Sequence, residues 1–135
     1  VPTSVSVPPF TADAFNGLLD TAIYADVHMG SLYDKDAVLK FRYVYQLPGP
    51  LTDEVQLQLS YQFFESTAAI GEAYTHIVDA FNPDGTDSIR TGIIQIPAQV
   101  GLTTTPLVTL RLTRLGASDT NAEDFNLIST ELYQE

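Results

Sequence analysis

The sequence contains no cysteine and no tryptophan. The first absence excludes disulfides, thiolate metal sites and cysteine nucleophiles, so the fold must hold by packing alone. Positive charge is also scarce. Only 6 Lys and Arg stand against 17 Asp and Glu, a formal charge of −11. Nucleic acid is excluded as a partner because phosphate binding runs on Lys and Arg. Anionic membrane surfaces are excluded for the same reason. No apolar run approaches the ~20 residues of a membrane-spanning helix. The opening Val1-Pro2-Thr3-Ser4 lacks the basic and apolar regions of a signal peptide and reads as a mature end left after methionine removal or proteolysis. A glycine-rich phosphate loop, HExxH and GxSxG are all missing. The expectation is therefore a protein without cofactor or metal, and not an enzyme.

What is present points to strands. The chain has 135 residues, enough for one domain. Hydrophobic residues make up 44% and charged residues only 17%, below the ~25% average. The polar remainder is largely Thr, Ser, Gln and Asn, which suits a sheet protein with a neutral surface. Period-two alternation is clear in Leu39, Phe41, Tyr43 and Tyr45, and again in Val55, Leu57, Leu59, Tyr61 and Phe63. Further strands are expected at about Ala22 to Met29, Tyr74 to Phe81, Ile89 to Ile96, around Val108 to Leu112, and Phe125 to Tyr133. Asn82-Pro83-Asp84-Gly85 is a turn by its proline and glycine. Thr11 to Gly17 has a capping residue and reads as a short helix start, and Glu65 to Ala73 as a loop. About seven strands without βαβ alternation imply an all-β fold: a single antiparallel β-sandwich, jelly-roll-like. Residues 1–17 are expected as an extended arm and linker, rather than a packed strand, because Pro2, Pro8 and Pro9 cannot donate to a ladder. Residues 18–135 form the sandwich domain.

Candidate chemistry is sparse. Asp26 and His28 share a strand face, as a carboxylate-oriented histidine would, and Asp79 follows His76 by three. Without a serine or cysteine motif, hydrogen-bonded strand histidines are the preferred account. Asp119, Asn121 and Glu123 start like a calcium loop, but Asp124 replaces its glycine and Thr130 its final glutamate. An irregular oxygen site there, or at Asp84 and Asp87, stands against plain solvated loops. Paired carboxylates for glycoside hydrolysis cannot be singled out among so many acids. The tyrosines suit core packing better than sugar stacking, and the alternation buries Tyr43, Tyr45 and Tyr61.

The run from Thr105 to Glu135 carries Arg111-Leu112-Thr113-Arg114, then Asp119-Thr120-Asn121-Ala122-Glu123-Asp124, then a strand from Leu127 to Leu132. With the two strands of Thr75 to Ala98 before it, this pattern resembles β-sandwich proteins of tailed-phage virions. The resemblance covers roughly the last 60 residues. It implies a non-enzymatic structural virion protein. The leading expectation is a capsid decoration (cement) protein that binds the outer capsid lattice, made in the host cytoplasm. The alternative is a tail-fibre or spike module that binds a host receptor or glycan. A hydrolase acting through His28 or carboxylates is a third, weaker reading. The expected partner is the major capsid protein or another virion protein, and the expected assembly a trimer. Contact is expected through the arm: Val1, Pro2, Val5, Val7, Pro8, Pro9 and Phe10. Arg111 and Arg114 are expected to fasten the acidic loop by ion pairs to Asp119 and Asp124.

Overall fold

The structure, a computed structural model, describes residues 3–6, 13–15, 20–29, 33–47, 49–64, 74–86, 88–101, 107–116, 120–121 and 125–134. These contain nine strands: β1 (Thr3–Ser6), β2 (Asp13–Phe15), β3 (Asp20–His28), β4 (Leu39–Gln46), β5 (Val55–Phe64), β6 (Thr75–Phe81), β7 (Ile89–Ile96), β8 (Leu107–Leu115) and β9 (Phe125–Gln134). They form two antiparallel sheets. The first runs β1-β9-β4-β7, with β2 also on β9; the second runs β3-β8-β5-β6. From β2 onward the chain changes sheet at every step except the β5-to-β6 connection. That winding is the double Greek key of a jelly roll, with β1 and β2 sharing one of its eight positions. No helix among the described residues is long and apolar enough to cross a membrane.

The alternation seen in the sequence fixes which side chains point inward. Leu39, Phe41, Tyr43 and Tyr45 of β4 face Val55, Leu57, Leu59 and Tyr61 of β5 across the sandwich, and all are buried. Val108, Leu110 and Leu112 of β8 complete the second sheet's inner face. One end of this core is aromatic. Tyr45 stacks on Phe125 with centroids 4.9 Å apart and lies 5.3 Å from Phe81. Offset ring packing of this kind adds about 0.5–1.5 kcal/mol per pair beyond area burial.

Three sequence expectations change. The short helix expected from Thr11 is absent, because Asp13–Phe15 is strand β2, paired with Phe125–Leu127. A seven-residue segment ending at Gly17 cannot repay helix nucleation, whereas the edge of β9 offers ready hydrogen bonds. Within the expected arm, Thr3–Ser6 is an edge strand in register with Glu131–Gln134, so Val5 sits opposite Leu132. In the sequence the prolines at 2, 8 and 9 fall outside these four residues, so none has to donate to the ladder. Val1, Pro2, Val7, Pro8, Pro9 and Phe10 lie outside the described residues. The third change is a bulge in β9. Val44 pairs with Ser129 but Tyr45 with Leu127, so Ile128 is an extra residue. Inward positions are therefore odd before it (Phe125, Leu127) and even after it (Thr130, Leu132).

The expected turn at Asn82–Gly85 is present. Gly85 has φ +76°, and a Cβ there would lie 2.9 Å from the Pro50 carbonyl oxygen. The turn therefore needs glycine both for its left-handed backbone and for room.

Candidate functional site

The described part of the acidic loop, Thr120 and Asn121, is fastened to the sandwich. Arg114 and Arg111 are three residues apart on β8, so they point to opposite faces. Arg114 faces inward, is completely buried, and donates from Nη2 to the Asn121 carbonyl at 2.6 Å. Asn121 in turn donates from Nδ2 to the Asp53 carbonyl at 3.0 Å. The Thr120 and Asn121 amides both donate to the Glu54 carbonyl, and Thr120 Oγ1 accepts from the Glu54 amide. Thr120 and Asn121 thus stitch the loop to the strand-β5 entry through backbone groups. Asp119 and Asp124 lie outside the described residues, so the expected ion pairs do too. The calcium-like spacing places Asn121 as a buried tether.

Arg111 belongs to a different surface, the outer face of the second sheet. Register places Tyr24, Arg111, Ser60 and His76 in one row across β3, β8, β5 and β6. Tyr24 is 63% exposed. The Arg111 guanidinium lies over the Tyr74 ring, 5.2 Å from its centroid. Ser60 is buried, with its Oγ 2.6 Å from His76 Nδ1; Gln58 Nε2 lies 2.9 Å from the same nitrogen. Since Ser60 and Gln58 both offer hydrogens to Nδ1, the ring proton belongs on Nε2. Asp26 and His28 share this outer face, as their spacing predicted, but no hydrogen bond or ion pair joins them in the described structure. Asp79 points the other way, into the sandwich.

There Asp79 accepts a hydrogen bond of 2.6 Å from the Tyr43 hydroxyl, tying β4 to β6 across the two sheets. The ring can reach because Gly92 lies opposite Tyr43 in the β4–β7 ladder and leaves its place open. Burial, then the Asp79 hydrogen bond and charge, push the Tyr43 phenol well above the ordinary tyrosine range. Burial, with a contribution from Asp34, pushes Tyr33 up to about 12. Both groups stay protonated in the fold at pH values where unfolded tyrosines, near pKa 10, ionise. Their contribution to stability is therefore whole below about pH 10 and is lost as pH rises through the folded values. Thermal unfolding followed from about pH 9 to 12 should show a falling midpoint, with a shallower fall in Tyr43→Phe. An equal slope in that variant would contradict the assignment.

A cleft of about 210 Å³ opens at the rim of the sandwich, lined by Tyr45, Leu47, Asn82, Pro83, Asp84, Thr86, Ser88 and Arg90. Asp84 is engaged by its neighbours. Its Oδ1 accepts from the Thr86 amide and hydroxyl at 3.1 and 2.7 Å, and its Oδ2 accepts from Arg90. These donors, Thr86 first, hold its carboxyl below the usual range. The cleft's charges are thus spent on shaping the turn. Asp87 lies outside the described residues.

Among the described residues, strand β7 carries two exposed isoleucines on its outer face, a feature the sequence reading did not single out. Ile89 and Ile93 point outward and are 63% and 47% exposed, while Ile94 and Ile96 face the core. The adjacent isoleucines 93 and 94, one to each face, were the available signal.

No family model matches this chain, and no curated protein matches its sequence. Solved structures share its fold. Arabinose-bound MgGH51 α-L-arabinofuranosidase aligns over 97% of this chain with a TM-score of 0.50 and 11% identity. The chain spans 19% of that enzyme's length. TmCBM61, solved with β-1,4-galactotriose, aligns over 99% of this chain and 82% of its own, with 11% identity and a TM-score of 0.45. A structure of the infectious bursal disease virus Gt strain aligns over 99% of this chain and 32% of its own, with 13% identity and a TM-score of 0.42. At these identities what is shared is the antiparallel β-sandwich architecture.

Proposed function

We propose that the chain is a non-enzymatic structural component of a tailed-phage virion, a decoration protein seated on the outer capsid lattice, and that β7 makes the contact. The observation that carries this reading is the outward pair Ile89 and Ile93 on an edge strand. Among the described residues the far edge of β7 has no partner strand. Its amides and carbonyls are available for strand addition, and the two isoleucines supply the side-chain part of such a contact. Thr91 between them and Gln95 just beyond are exposed and uncharged, which keeps the outward face of this strand neutral. The sequence resemblance of the last 60 or so residues to virion sandwiches supports the location. In this reading the N-terminal segment from Val1 to Phe10 contributes a second contact, and the assembled unit is a trimer.

The test uses capsids of the encoding phage assembled without this protein. Purified chain should saturate them, and Ile89→Lys with Ile93→Lys should reduce occupancy at least tenfold while the protein stays folded. Deletion of residues 1–10 removes β1 as well as the proline-flanked contact and should weaken decoration further. Wild-type occupancy in both variants would overturn the reading.

A further inference from the structure

We infer that the outer face of the second sheet is a binding shelf for a neutral oligosaccharide, separate from the β7 contact. The argument starts from Arg111. In a chain of charge −11 it makes no ion pair and no hydrogen bond in the described structure; its Nε is buried without a partner. Its one described contact is the Tyr74 ring, which holds the guanidinium plane while leaving the Nη hydrogens to an incoming acceptor. An arginine kept this way in an acid-rich protein is a donor set without its acceptor.

The residues beside it match what sugar hydroxyls require. Each hydroxyl both donates and accepts, so its site needs both kinds of group. Arg111 offers donors and Asp26, exposed on the same face, offers an acceptor. Gln58 and Ser60 fix His76 through Nδ1, which leaves its Nε2–H for a ligand oxygen. Tyr24, directly beside Arg111 in register and 63% exposed, presents a ring on which the apolar face of a pyranose packs. Tyr24, Arg111 and His76, with Ser60 buried between the last two, lie along three strand spacings, roughly 14 Å, which accommodates an extended oligosaccharide rather than a single sugar. Asp26 places a negative charge on the same face as Arg111, and the chain's net charge repels polyanions. A neutral glycan is therefore the ligand class.

The experiment is an array of neutral and acidic tri- and tetrasaccharides, followed by titration calorimetry on the best neutral binder. Saturable binding to a neutral oligosaccharide is expected, insensitive to added salt. Tyr24→Ala and Arg111→Met should each weaken it at least tenfold without changing the thermal midpoint. Ile89→Lys with Ile93→Lys should leave it intact, which separates this shelf from the capsid contact. The inference is overturned if no neutral oligosaccharide binds saturably, or if both shelf variants bind as wild type. Binding confined to acidic sugars and abolished by salt would also overturn it, by giving Arg111 an anionic ligand.

Discussion

Gly92→Ala should destabilise the protein by roughly 3 kcal/mol, although it adds only one methyl group to an edge strand. The added Cβ would sit 2.1 Å from Tyr43 Cζ and 2.3 Å from its hydroxyl oxygen. Tyr43 is almost wholly buried, and its ring is hemmed in by Tyr45 and Phe125 at centroid distances of 5.6 and 6.3 Å. It cannot swing away without disturbing that cluster, so the overpacking cost of about 1–3 kcal/mol applies. Any displacement also breaks the hydrogen bond to Asp79, and bonds to charged acceptors contribute about 1.5–3 kcal/mol. A denaturant midpoint gives the number, and a change under about 0.5 kcal/mol would refute the account. A double variant isolates the cause. Tyr43→Leu removes the hydroxyl and shortens the side chain, so Gly92→Ala should cost much less in that background.

Arg114→Ala carries the second large effect, a loss of about 3–5 kcal/mol. The side chain is the largest of the completely buried ones. Its removal leaves a cavity and takes the donor from the Asn121 carbonyl, so the stitching of residues 120–121 to 53–54 loosens as well. Arg114→Lys should recover little of this, because a point charge cannot reproduce the planar fork. Arg111→Met, three residues away on the opposite face, should change stability by no more than about 1 kcal/mol. If the two arginine sites proved equally sensitive, the assignment of faces would be wrong. Hydrogen exchange offers a local readout: amides of Thr120 and Asn121 should lose protection in Arg114→Ala only.

The sandwich was largely legible because its inner residues repeat every second position and its turns carry Pro and Gly. Leu39 to Tyr45 and Val55 to Phe63 needed no further information. The N-terminal pieces were not legible, since Thr3–Ser6 and Asp13–Phe15 are too short for a period and exist as strands only through β9. The bulge at Ile128 was hidden for a related reason. An extra residue reveals itself by what it pairs with, and the partner strand lies some 80 positions upstream. Of the site residues, the two arginines were flagged as a pair by their closeness in sequence. Their separation followed from strand periodicity alone: an odd spacing on β8 sends them to opposite faces. The row of Tyr24, Arg111, Ser60 and His76 required knowing that β8 lies between β3 and β5, an order no local pattern encodes.

The divided edge of the first sheet has one more consequence. β1 ends its pairing at Glu131 and β2 begins at Leu127, so the interval from Ile128 to Thr130 coincides with the bulge. A bulge bends and twists its strand, and a single straight neighbour could not follow β9 past it. Two short pieces can. Residues 127 and 131 are each the end of a patch, and the stretch left between them is shorter than any strand that could pair stably alone. A long open strand edge is a template for self-pairing and fibre growth. Among the described residues this edge is divided into two short pairings, while β7, on the opposite side of the same sheet, stays continuous over eight residues. The two flanks of this sheet thus differ in kind: one is divided into short pieces, the other is a single continuous strand.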